Sequence, residues 1–183
     1  MSNKYSTFNG VGLTPTQAVG GDIPIWQNPE DLQKIVGGGS LSNAPSAVAL
    51  VPGGTPVKID EAAGTAAICK RFEVYETATG SPTTYKLVKD STKYGKLIEV
   101  GIVLMKMPSS LTGTGVAYAI ATLDTSNAAY DEITVATTLG AVVAGDILAE
   151  ADSVGTGKSL KYVANALTYA DVFVQDDAIQ YSI

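Results

Sequence analysis

Three stretches of the chain carry residue types at spacings that bear on chemistry. Gly155-Thr156-Gly157-Lys158-Ser159 has the ending of a phosphate loop, in which backbone N–H groups and a lysine hold an anion. The complete pattern needs a glycine five positions before Gly157, and Asp152 stands there with a charge that repels phosphate. Leu160-Lys161-Tyr162-Val163 then reads as strand, not as the helix such a loop feeds, so the segment is expected to be a hairpin tip. Asp124 to Glu132 offers oxygen side chains at alternate positions, as a calcium loop does. Ala128 occupies a ligand position and Ala129 the glycine position, and the flanks read as strands. A solvated turn is the expectation, with a structural cation between subunits as the other reading. Cys69, in Ala67-Ile68-Cys69-Lys70, is the only cysteine and sits in a strand pattern, where it is expected to act as a small buried hydrophobe.

The chain has no histidine, which removes the side chain that titrates nearest neutral pH and the commonest metal ligand. Serine–histidine and cysteine–histidine catalysis are therefore excluded, and a lone cysteine can form neither an intrachain disulfide nor a multi-cysteine zinc site. Eighteen acidic residues supply many carboxylate pairs and single out none for sugar hydrolysis. No catalytic residue, metal or cofactor is implied, and the chain is read as a non-enzyme. A net charge of −6 argues against direct nucleic-acid binding, which needs clustered cations. The opening Met1 to Thr7 lacks an apolar signal core, and the longest aliphatic run, Ile102 to Met105, is far short of the roughly 18 residues of a membrane span.

The elements that position these residues fall into compositional zones. Residues 1–56 hold few charges, repeated glycines and most of the prolines, which predicts an extended arm that gains order on a partner. One short helix is expected near 29–36: Asn28 caps, Pro29 suits the first turn, and Leu32, Ile35 and Val36 share a face before Gly37-Gly38-Gly39 stops it. Ile23, Ile25, Trp26, Leu32 and Ile35 have no evident core of their own and are the candidate partner-binding residues. Residues 57–183 are expected to form an all-β domain, a sandwich or barrel of short antiparallel strands.

Within that domain, Arg71 to Glu76 alternates with Phe72 and Val74 on one face, and Tyr85 to Lys89 alternates again. Leu97 to Met107 is apolar on both faces and is expected to be a central, doubly covered strand. Val116, Ala117, Tyr118, Ala119, Ile120 and Ala121 set large residues against alanine, which fits a core face backed by a close neighbour; these six are the candidate subunit interface. Ile133 to Val143, Ile147 to Glu150 and Leu160 to Ala164 are read as further strands. Nine tyrosines suit surfaces that are apolar on one side and wet on the other, and Tyr5, Tyr94 and Tyr130 are candidates for contact with a partner or a sugar.

Val163-Ala164-Asn165-Ala166-Leu167-Thr168-Tyr169-Ala170-Asp171-Val172, with Ala144 to Glu150 upstream and the polar opening Met1-Ser2-Asn3-Lys4, resembles segments of head fibre and head decoration proteins of tailed bacteriophages. That resemblance implies a small β protein, made soluble in the host cytoplasm and ending in the virion. There it binds the major capsid protein on the capsid exterior, often as a homotrimer. A carbohydrate- or cell-surface-binding module and a tail or fibre component of a phage particle are the alternative readings.

Overall fold

The computed structural model describes residues 39–43, 49–89, 97–168 and 172–174, and within them the protein is all-β, without a helix. In chain order the strands are β1 (Ser40–Leu41), β2 (Ala49–Val51), β3 (Pro56–Asp60), β4 (Thr65–Ile68), β5 (Arg71–Glu73), β6 (Thr84–Val88) and β7 (Val103–Lys106). They continue as β8 (Gly115–Asp124), β9 (Tyr130–Val135), β10 (Ile147–Glu150), β11 (Gly155–Lys158), β12 (Ala166–Leu167) and β13 (Val172–Val174).

Period-two alternation places β5 and β6 as their sequences predict. Phe72 and Val74 are buried while Arg71, Glu73 and Tyr75 are exposed, and Tyr85 and Leu87 are buried between outward neighbours. The largest ladder runs β5-β10-β7-β8-β9-β6, antiparallel at every step, with β11 added beside β8. It then returns to its start: Val74 bridges Leu87, and the Tyr75 N–H donates to the Lys86 carbonyl at 2.9 Å. Phe72, Val74, Tyr85, Leu87, Leu104, Ile120, Ile133, Val135 and Leu148 form one buried cluster, so all six strands of the cycle turn apolar side chains to a common interior.

A four-stranded sheet, β1-β4-β3-β12, lies beside this unit, with β1 parallel to β4 and the other pairs antiparallel. Leu97 joins the two by packing against the interior cluster and also against Val51 and Ile68. β13 pairs with β2. The end of the Gly/Pro-rich stretch, 40–41 and 49–51, is thus paired into sheets. The helix expected at 29–36, with Ile23, Ile25, Trp26, Leu32 and Ile35, lies outside the described residues.

Other expectations are corrected. Leu97 to Met107 is not one strand, because Gly101 turns the chain at φ 93°, a conformation that side chains resist, and the strand itself is confined to Val103–Lys106. That short strand is doubly covered: Leu104 faces the interior, while Met105 packs outside it with Ala117 and Ala151. Gly155–Lys158 does lie in the tip of a hairpin, closed by the Ala151–Leu160 bridge and the Asp152 N–H to Ser159 O bond, but it also pairs with β8 as strand β11; its partner Gly115 lies against Met105, whose methyl would sit 2.8 Å from an added Cβ. Leu160 to Ala164, read as strand, is irregular apart from a single bridge between Leu160 and Ala151. Strand β9 ends at Val135, and of the residues after it up to Val143 only Val142 bridges, to Ala78.

Candidate binding groove

The chain leaves β4 through Cys69 and Lys70 before entering β5. The Cys69 N–H donates to Pro56 O at 3.0 Å, and the Glu150 N–H donates to Lys70 O at 3.1 Å, so this junction is tied to both β3 and β10. Met107 and Leu111 follow β7, and Leu160 to Ala164 crosses from β11 toward β12. Together these segments wall a groove of about 260 Å³. Ile147, Ala149, Leu160 and Pro56 contribute apolar lining, and Cys69, Lys70, Arg71, Glu150 and Tyr162 the polar groups. Met107, Leu111 and Val163 belong to this lining and are 37%, 53% and 41% exposed, so the groove presents apolar side chains to solvent.

Glu150 is the buried carboxylate of the wall, and Lys70 is its buried cation. Glu150 Oε1 accepts from Lys161 Nζ at 2.6 Å, and Glu150 Oε2 has no hydrogen-bond partner. That bond holds the Lys161 ammonium above the ordinary lysine pKa, and the ammonium also lies 5.3 Å from the Tyr162 ring centre. Burial pushes the Cys69 thiol pKa up and the Glu150 carboxylate adds to this, against the pull of Arg71 and Lys58. A thiol so placed stays protonated at neutral pH and is a weak nucleophile. The groove can therefore seat an apolar group and accept one hydrogen bond, which is the chemistry of binding.

A second surface lies on β6 and β9. Tyr75 and Tyr130 stand 5.5 Å apart at 35°, and Lys86 Nζ lies 4.9 Å from the Tyr130 ring centre while bonding Glu76 Oε2 at 2.6 Å. Tyr130 is half-buried and Tyr75 exposed. Tyr5 and Tyr94 lie outside the described residues.

The six β8 residues are divided between environments. Ala117 and Ile120 are enclosed by the chain itself, Val116, Tyr118 and Ala119 are half-buried, and Ala121 is exposed. Tyr118 and Ile120 turn to the interior cluster, and Ala117 lies under Met105, Ala151 and Leu160. A register shift between Ile120 and Thr122 then brings Leu123 against that cluster as well. The groove residues Met107, Leu111, Leu160 and Val163 carry no joint signal in the sequence, because they come from separate irregular segments.

Among the described residues no group of three or more His, Cys, Asp or Glu side chains could hold a metal, and no helix is long and apolar enough to cross a membrane. No family model, curated protein or solved structure matches the chain.

Proposed function

We propose that the chain is a non-enzymatic structural protein of a tailed-phage particle, made soluble in the host cytoplasm and docked on the outer surface of the assembled capsid as a head fibre or decoration protein. The N-terminal stretch, through Ile23, Ile25, Trp26, Leu32 and Ile35, meets the major capsid protein, and the β unit projects as part of a homotrimer. A protein that binds the assembled shell and not free subunits stabilises the shell by mass action.

The observation that carries this reading is how the described charges are used. Lys89–Asp131, Lys161–Glu150, Lys70–Glu99 and Lys106–Asp146 each join separate segments of the β unit. Ion pairs spent on bracing suit a spike or stud. The finer fold reading is a small closed barrel, supported by the antiparallel cycle that returns from β6 to β5 around one core.

Co-sedimentation of the full chain with intact heads tests the proposal. Saturable binding to heads, absent with unassembled capsid protein, is expected; no association with heads sinks it. The second reading, a carbohydrate-binding module, is favoured by the Tyr75–Tyr130 pair beside Lys86 and Glu76, since aromatic rings flanked by polar groups suit a sugar. Glycan-array binding by the isolated chain distinguishes it.

A further inference from the structure

Lys89, just after β6, sends its ammonium into the hairpin loop between β8 and β9. Nζ donates to Thr125 O at 2.7 Å, to Asn127 O at 2.5 Å and to Asp131 Oδ1 at 3.1 Å. Asp131 is 1% exposed, and its second oxygen, Oδ2, has no hydrogen-bond partner. Two carbonyls and a buried carboxylate thus converge on one cationic centre, with a further carboxylate oxygen unused.

The loop's shape is set by bonds of its own. Asp124 Oδ1 accepts from the Ser126 N–H and Asn127 Oδ1 from the Ala129 N–H, each at 2.8 Å, and the pairing of Asp124 with Glu132 holds the two ends together. All the converging donors are oxygens, two of them carbonyl, which is the ligand set of a hard cation. Because two ligands are backbone, no cluster of acidic side chains marks the place.

We propose that the 125–131 loop is a cation site which the chain fills with its own Lys89 ammonium, and that a calcium-class ion takes the same oxygens when that ammonium is withdrawn. Calcium accepts six to eight oxygens at flexible angles. Asp131 supplies two and the carbonyls two more, and water reaches the rest because residues 126–129 are exposed. Magnesium, which demands a near-octahedral shell and dehydrates reluctantly, fits this set less well. In the unchanged chain the ammonium is tethered at high effective concentration and holds the site against a free ion.

Calorimetric calcium titration and thermal melts of the full chain, Lys89→Met and Lys89→Met with Asp131→Asn test this. Lys89→Met should bind one calcium per chain at least about tenfold more tightly than the unchanged protein and melt higher with calcium than with magnesium. The double variant should lose both effects. Lys89→Gln, which keeps a donor for one carbonyl, serves if Lys89→Met does not fold in calcium-free buffer. A Lys89 variant that is folded yet takes up no calcium, one that calcium does not refold, or calcium binding that survives Asp131→Asn overturns the proposal.

Discussion

The side-chain amide of Asn165 closes both backbone hydrogen bonds of Ile59: Oδ1 accepts the Ile59 N–H at 2.7 Å and Nδ2 donates to the Ile59 carbonyl at 3.0 Å. Asn43 treats Ile68 the same way, at 2.7 and 2.8 Å. Each amide acts as one more residue of a ladder where the edge strand, β12 or β1, is only two residues long. Such pairing satisfies buried backbone groups that would otherwise stay open.

Asn165→Asp keeps the acceptor, removes the donor and sets a carboxylate against the Ile59 carbonyl. Urea unfolding should show a loss of about 1–3 kcal/mol. An unchanged midpoint would mean that the amide contributes nothing to that edge.

Tyr85 is buried, and its hydroxyl accepts the Leu139 N–H at 2.7 Å while Pro82 O lies within donating distance at 2.8 Å. Tyr85→Phe leaves the Leu139 N–H without its acceptor next to the core. The cost should be about 1–3 kcal/mol in chemical denaturation, although ring volume is kept. Full stability in the phenylalanine variant would show that water replaces the hydroxyl.

Two pH limits follow from the ion pairs. Lys161 has its pKa raised by Glu150, so its contribution is fully present below the ordinary lysine value of 10.5 and is lost as pH climbs through the raised value. Asp146 has its pKa lowered by Lys106 and by the Val143 N–H, so its contribution is present above the ordinary 3.8 and lost as pH falls through the lowered value. Melts across pH should show Lys161→Met flattening the alkaline arm and Lys106→Met flattening the acid arm. Unaltered arms in both variants would remove the pairs from the pH dependence.

Cys69 should react with iodoacetamide more slowly than a free cysteine at pH 7.5, with a rate midpoint above the ordinary thiol value of 9.0. A midpoint below that value would contradict the burial that pushes the thiol up.

Alternation made much of the fold legible. Phe72, Val74, Tyr85 and Leu87 are inward where a period of two puts them, because each lies on a half-buried strand or, for Val74, at the bridge that extends one. β11 was hidden because Gly155 and Gly157 have no side chains to alternate. The break at Gly101 was hidden because apolar residues on both sides mask a turn. Asp124 to Glu132 was legible as a turn with oxygen ligands, but its occupant was not: Lys89 lies more than thirty residues away and the bonding oxygens are mostly backbone. The groove is assembled from irregular segments whose meeting depends on β10 lying between β5 and β7.

Attachment to an assembled shell through the N-terminal stretch is most directly tested by the affinity of Trp26→Ala for intact heads, measured beside the unchanged chain together with its melting temperature. Head binding should weaken by roughly 2 kcal/mol or more, about thirtyfold, with the melt unchanged. Undiminished binding with a lowered melting temperature would contradict the anchor role and place Trp26 on the β unit itself.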